Sequence, residues 1–527
     1  MSGLRHEDHV SPFMGADIAS WLADLAAWRG DHPMLIWAPP EGPSKTWSYR
    51  RFVHDVSCLA GGLAKRGIKP GDRVLVHLEN GPEMLLARFA CNWLGAVCVG
   101  TNAHAVGPEL DWYAASTGAV AAITQPKFAA MVSEHCRGLR WIAVTQDDAG
   151  TSAAASAVPA RAESFEGLFG EPLPRRAPDP FAQASIMFTT GTTSRPKGVV
   201  WTHANVLWGA RLNAAQQRLQ ADDVTQVFLP MYHVVGLSWC ATATLWAGGT
   251  LLIQPRFSAS GFWPAAIEHG ATVAGQVFFT LKVLAGGEIP KHRFRKWIVA
   301  RHEPAQMQRF GVDFVAGWGM TEVLTQVIVC EPGMDAPQGA IGRPSSGYRV
   351  RIVGDDGEQV RPGESGQLLV GGVRGLSIFR EYDGNEAATR EAFDEDGYFQ
   401  TGDRVILRED GWLQFGDRIK DVLKVGGEGV SASEIEHVIL HVPGVAEVAV
   451  VAKADVDYGE VPVAFVVPKR DAGPDVVAAI EAAALTRCRE ELAKFKVPRE
   501  IRIVDGLPMV GFGKVSRAKL RDMLAQG

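Results

Sequence analysis

The sequence predicts an α/β fold: a large N-terminal domain of mainly parallel α/β subdomains, then a small α+β domain at the C-terminus. Three observations carry this. Helical and strand-like stretches alternate along most of the chain, the pattern of α/β units. The strand-like stretches are apolar on both faces, as in sheets covered by helices. The pattern changes after about residue 420, where a glycine-rich loop, a helix and two β-rich runs follow each other closely. The chain of 527 residues exceeds one ordinary domain and suggests about two to four units.

Residues 47–66, WSYRRFVHDVSCLAGGLAKR, place Phe52, Val56, Leu59 and Leu63 at the spacing of one helix face. KPGDRVLVHLENG then reads as a turn and a buried strand containing Val74, Leu75 and Val76. The most apolar span, Met84 to Gly100, is interrupted by Arg88 and Asn92. A membrane-spanning helix needs about 20 largely uncharged residues, so a buried helix feeding a strand is expected there. The Ala-rich run Gly150 to Ser164 lacks an amphipathic period and reads as a surface connection. Trp239 and Trp246, seven residues apart, fit one face of a helix and read as packing. In the tail, Ser433 and Glu436 have capping-box spacing at a helix start. EVAVVA (Glu447 to Ala452) and PVAFVV (Pro462 to Val467) read as strands.

Composition narrows the function classes. With 46% hydrophobic and 21% charged residues, the chain is of the globular kind. A net charge of −6 argues against a nucleic-acid binder, which usually carries a basic face. The seven cysteines show neither paired spacing nor ligand spacing, so free buried thiols are expected rather than a disulfide framework or zinc site. The N-terminus MSGLRHEDHVSPFMG is charged and lacks the apolar core of a secretory signal. A cytoplasmic enzyme without an integral membrane segment is the expectation.

The stretch MFTTGTTSRPKG (Met187 to Gly198) packs five hydroxyl side chains and one glycine ahead of Lys197, with a second glycine directly after it. The Walker pattern fails, because Lys197 follows Pro196 and precedes Gly198. Backbone N–H groups and hydroxyls in such a loop suit an anion, although the same residues also make an ordinary polar turn. Order along the chain adds specificity. TTGTTSRPKGVVWTH (Thr189 to His203) is followed by PMYHVVG (Pro230 to Gly236), GWGMTE (Gly317 to Glu322) and IGRP (Ile341 to Pro344). YFQTGD (Tyr398 to Asp403), GDRIKDVLKVGGEGVSASEIE (Gly416 to Glu436) and PMVGFGKVSR (Pro508 to Arg517) complete the series. This succession resembles the adenylate-forming superfamily of acyl-CoA synthetases, peptide-synthetase adenylation domains and luciferases.

The resemblance implies an ATP-dependent acid–CoA ligase working in two steps. A carboxylate attacks the α-phosphate of ATP, giving an acyl-adenylate and pyrophosphate; the thiol of coenzyme A then takes the acyl group and expels AMP. It also implies residue roles. Thr189, Thr190, Gly191, Thr192, Thr193 and Ser194 would wrap the β- and γ-phosphates, with Lys197 adding charge. Thr321 would bond the α-phosphate and Glu322 would hold Mg²⁺, a cation that suits a carboxylate beside phosphates. Trp318, with Gly319 and Met320 after it, would pack on adenine. Asp403 would accept from the ribose hydroxyls, and Arg418 would reach ribose or phosphate. Lys514 would bridge carboxylate and α-phosphate in the transition state. The resemblance further implies an N-terminal adenylation domain, 1–419, and a mobile C-terminal domain, 420–527, that rotates between steps about Lys420. That rotation would replace Lys514 by KVGGEG, whose Gly426 and Gly427 would let the pantetheine arm pass.

Two stretches compete for the adenine motif expected before Trp318: AGGEIP (Ala285 to Pro290) and ARHEP (Ala300 to Pro304). The acyl pocket would draw on His233 as a gate, Phe278, Phe279, Ala316 and Gly317. FSASGFW and AKFKVP are similar to stretches of carnitine and crotonobetaine CoA ligases, whose cationic acids an aromatic cage can hold. Which carboxylic acid is used stays open, as does the oligomeric state, a homodimer being one of those allowed. A freestanding adenylation enzyme that loads a carrier protein or an amine is the second reading. A nucleotide-sensing relic without turnover is a third, opposed by the presence of Lys514, Glu322, Asp403 and Arg418.

Overall fold

The computed structural model describes residues 11–153, 158–159, 162–189, 196–354, 357–418, 422–510, 514–515 and 517–525. They form two compact units. The first takes the described residues of Met1–Ala103, Tyr113–Phe188 and Gly198–Asp417; the second takes those of His104–Trp112, Thr189–Lys197 and Arg418–Gly527.

The helix over Tyr49–Lys65 forms because Ser48 caps it, accepting from the Arg51 N–H at 3.3 Å, and because its apolar stripe finds a core. Phe52, Val56, Leu59 and Leu63 are all fully buried. The strand Arg73–His77 follows, then the helix Pro82–Leu94 and the strand Val97–Gly100. The two polar interruptions of that apolar span are anchors. Arg88 donates to Ser185 Oγ at 2.8 Å and Asn92 Nδ2 to the Ala184 carbonyl at 2.7 Å. Both hold the strand Gln183–Thr189, which leads into the Thr-rich loop.

That strand lies in an eight-stranded sheet whose central members are parallel. Arg73–His77 sits between Val97–Gly100 and Ala121–Thr124, so chain order reverses there. Lys197–Thr202 lies beside Gln183–Thr189, and Glu381–Tyr382 closes this edge antiparallel to it. The Thr-rich loop therefore joins two neighbouring strands, unlike a Walker loop, which runs from strand to helix.

The second sheet has thirteen strands. One half is mainly parallel, ending with Lys296–Val299 beside Asp313–Trp318. The other half is antiparallel and starts where Trp318 pairs with Ile328. This extension adds to the parallel pattern expected. Its turn from Phe399–Leu407 to Leu413–Arg418 carries the pair Asp410-Gly411, with φ of 77° at the glycine. Tight turns of this kind permit antiparallel strands without crossover helices.

Two local expectations are corrected. Residues Val235–Thr242 form a π-helix before the short α-helix Ala243–Ala247, so Trp239 and Trp246 do not share one α-helical face. Trp246 packs on Trp21 and Phe13 with ring centroids 5.9 and 6.3 Å away. Trp239 lies instead against Gly319. The extra residue per hydrogen-bonded turn breaks the seven-residue phase. In the tail, the helix is Ala432–Leu440, so Ser433 lies inside its first turn rather than at the cap. Glu436 serves elsewhere: its Oε1 accepts from the Val450 N–H at 2.8 Å and from Arg517 at 2.6 Å. Those bonds use the carboxylate that a capping box would need.

In the second unit, Glu428–Ser431, Val422–Val425, Gly459–Pro468 and Val445–Asp455 form a sheet, with Glu500–Ile503 parallel to Gly459–Pro468. Leu423, Val450, Val466 and Ile480 pack one face; Phe465, Val463 and Leu520 pack the other. Gly426 and Gly427 make the two-residue turn between Val422–Val425 and Glu428–Ser431, with φ of 61° and 94°. A hairpin of this type needs positive φ at both central positions, so the turn itself accounts for both glycines.

Lys496 is buried here with two carboxylates. Its Nζ donates to Glu109 and, at 2.8 Å, to Glu434 Oε1. Burial, only partly offset by Lys496 and reinforced by Glu109, pushes the Glu434 carboxyl up to about 7. A raised carboxyl holds more protons in the native than in the unfolded chain between the two pKa values. This group's contribution should therefore decline as pH rises from about 4.5 to 7. Glu434→Gln should flatten that decline, read from hydrogen exchange of the Ala432–Leu440 amides against pH. Lys496→Ala, which strands two acids, should destabilise the same amides by about 3–5 kcal/mol.

Candidate active site

The strand Asp313–Trp318 supplies the spine of the site. It is the last parallel strand of its sheet, and ligands gather outside the carboxyl ends of such strands. Beyond it, Gly319 passes so close to the Thr325 carbonyl that a Cβ would collide, and Trp239 Cζ2 would lie 2.8 Å from that Cβ. Glycine is required there by packing alone. A single 3₁₀ turn, Thr321–Val323, then presents two of the expected residues, both buried.

The turn ends on Leu324 at φ 59°, with the Thr325 N–H donating to the Val323 carbonyl at 2.6 Å. A fully buried leucine in this tight γ-like bend is strained. Its surroundings hold it. The Tyr348 hydroxyl accepts from Thr325 Oγ1 at 2.7 Å and reaches the Val323 carbonyl at 2.9 Å, and Trp201 Nε1 donates to the Thr321 carbonyl at 2.9 Å.

Around this turn the structure brings three expected residues into one cluster. Trp318 Nε1 donates to Asp403 Oδ2 at 2.9 Å, joining the parallel spine to the antiparallel strand Phe399–Leu407. Glu322 Oε1 accepts from the Tyr382 hydroxyl at 2.9 Å, and the Glu322 carbonyl accepts from the Phe379 N–H at 2.7 Å. Burial first, and then the adjacent Glu322 charge, push the Tyr382 phenol well above the tyrosine range, so it stays a donor. Tyr382, Phe379 and Trp201 went unnoticed in the sequence. No spacing rule links Tyr382 to an acid sixty residues earlier.

His233 is half-buried just before the π-helix; its Nδ1 accepts from the Val235 N–H at 3.4 Å. Cys240 Sγ and Val235 approach Gly275, and Trp239 approaches Gly319, so the π-helix links the His233 loop to the spine. Phe278 is 58% exposed, while Phe279 is half-buried against Phe257. Of the two adenine-motif stretches, Ala300–Pro304 follows the strand Lys296–Val299, whose Val299 pairs with Ala316. Like the residues after Trp318, it leaves the carboxyl end of its strand, whereas Ala285–Pro290 comes before that strand in the chain.

Other expected residues are placed but not tied into this cluster. Thr189 ends one strand and Lys197 begins the next. Lys514 pairs with Val510 in a small hairpin and Arg418 ends Leu413–Arg418, but both side chains lie outside the described residues. So do Thr190, Gly191, Thr192, Thr193, Ser194 and Lys420. All seven cysteines are free, and among the described residues no three His, Cys, Asp or Glu side chains are grouped to hold a metal. No helix of the described residues is long and apolar enough to cross a membrane.

Known proteins match along nearly the whole chain. The AMP-binding enzyme family matches residues 22–382, and the AMP-binding enzyme C-terminal domain matches 434–514. A crotonobetaine/carnitine–CoA ligase of Salmonella paratyphi B is 30% identical over 520 residues, covering 96% of this chain and 99% of the relative. The o-succinylbenzoate CoA synthetase of Bacillus subtilis, bound to a product analogue, superposes with a TM-score of 0.81 at 25% identity, covering 95% of this chain and 98% of the other. The same synthetase with its acyl-adenylate intermediate gives 0.66 at equal identity and coverage. The chain belongs to the AMP-binding enzyme family and is an AMP-forming acyl-CoA ligase.

Proposed function

We propose that the cluster around Trp318 is the nucleotide half of the active site. The observation that carries this is the 2.9 Å bond from the Trp318 indole to Asp403. On this view the indole offers its face to adenine, and the carboxylate it is bonded to accepts from the ribose. In this reading Ala300–Pro304 borders the base, Thr321 bonds the α-phosphate, and Arg418 reaches ribose or phosphate. Thr189, Thr190, Gly191, Thr192, Thr193 and Ser194, with Lys197, hold the β- and γ-phosphates. Glu322 fits Mg²⁺: it is a buried carboxylate beside the proposed phosphate position, and this ion is commonly held by one or two carboxylates plus substrate phosphates. Bound there, the ion would neutralise phosphate charge.

The division of labour is proposed between residues 1–419, which bind ATP and acid, and residues 420–527, which move about Lys420. Lys514 supports adenylation and then withdraws; Gly426 and Gly427 line the way for the thiol, with His233 gating it from the acyl pocket. Cytoplasm, where ATP and CoA are supplied, is the proposed compartment.

Pyrophosphate and AMP release across a panel of acids, with and without CoA, tests the reading. An acid that yields both, and an acyl-CoA once CoA is added, supports it; an adduct with an amine or carrier protein instead of CoA would select the second reading. Lys514→Ala should lower adenylation by about 10²–10³ yet still form thioester from a supplied acyl-adenylate. Equal loss in both half-reactions would reject the domain alternation. Because the 30%-identical relatives are crotonobetaine/carnitine–CoA ligases, trimethylammonium acids are the first candidates. Calorimetry should detect their binding with ATP present, and silence there would redirect the search to uncharged acids.

A further inference from the structure

We infer that Tyr382 is a positioning residue for adenylation: its phenol fixes the Glu322 carboxylate in the orientation that Mg·ATP requires. This rests on the proposed role of Glu322. The segment Phe379–Tyr382 grips that residue twice, through the Phe379 N–H on its carbonyl at 2.7 Å and the Tyr382 hydroxyl on Oε1 at 2.9 Å. One grip fixes the backbone and the other the rotation of the carboxylate. A side chain held at one oxygen presents the other in a defined direction.

The gripping segment is itself anchored. Tyr382 pairs with Val199, and the Asp383 N–H donates to the Gly198 carbonyl at 2.8 Å. Both partners lie on the strand that begins at Lys197, directly after the Thr-rich loop. The Tyr382 N–H donates to Thr389 Oγ1 at 3.0 Å, which fixes the residue from its C-terminal side. Its ring packs on Phe379 at 4.8 Å, and Phe379 packs in turn on Phe393 and Phe399 at 5.8 and 5.5 Å. The phenol is thus buried in an aromatic bed with its oxygen aimed at the acid. A purely structural tyrosine in such a bed needs some hydrogen-bond partner; choosing the carboxylate proposed to bind metal gives the bond a function. Partners of this kind orient metal ligands, and their loss typically weakens metal affinity or activity about 10–100-fold.

The test uses the full-length protein and Tyr382→Phe, which keeps the ring and removes the hydroxyl. Calorimetric titration without acid should show Mg·ATP binding weakened about 10–100-fold, while AMP binding without metal stays at its wild-type value. Equal weakening for both nucleotides would mean a structural lesion and overturn the proposal; so would unchanged Mg·ATP binding. If Tyr382→Phe fails to fold, 3-fluorotyrosine at position 382 keeps both ring and hydroxyl, and a loss of Mg·ATP affinity there would also count against the proposal. Glu322→Gln separates the two levels. If Glu322→Gln binds Mg·ATP normally, the metal assignment fails; if it weakens binding and Tyr382→Phe adds a further full loss on top, Tyr382 acts through another group and the inference fails alone.

Discussion

The site depends on one junction, where a parallel sheet becomes antiparallel at Trp318. Parallel strands leave their carboxyl ends open to a ligand, whereas antiparallel strands extend a sheet through tight turns. Joining them at one residue sets the buried indole at the end of the last parallel strand, where its N–H reaches Asp403, 85 residues later, at 2.9 Å. The bond needs both halves of the sheet. It is charge-assisted and partly shielded from water, which makes it stronger than an ordinary surface contact.

Much of this was legible locally. Phe52, Val56, Leu59 and Leu63 announce their helix because a 3.6-residue period has one reading. Arg88 and Asn92 rule out a membrane helix, and the structure gives them partners on a neighbouring strand. The ordered motifs pointed to the family because several chemical demands had to be met in sequence. What stayed hidden was non-local or irregular. The bond between Tyr382 and Glu322 spans sixty residues and has no periodic signature. The π-helix Val235–Thr242 defeats any rule built on α-helical phase, so the separate destinations of Trp239 and Trp246 could not be read. The Asp-Gly turn was visible, but without the strands on either side it did not reveal the antiparallel half.

Two glycine features show how a structural reading and a functional one can meet at one position. Gly426 and Gly427 are explained by their turn alone, yet the proposed function would have a slender thiol arm pass the same positions. Gly319 is explained by the Thr325 carbonyl and the Trp239 ring, yet it follows directly on the indole proposed to face adenine. Neither glycine signature separates packing from chemistry.

The bend at Leu324 carries a consequence for anyone who would make this enzyme hardier. A leucine at φ 59° stores strain of about 1–3 kcal/mol that glycine would relieve, but its side chain is fully buried, and removing it would cost about 2–5 kcal/mol. The same replacement would loosen the corner on which Thr321 and Glu322 are mounted, so aim and durability would fall together. Heat-tolerance screens would therefore keep the leucine at this corner, strain included.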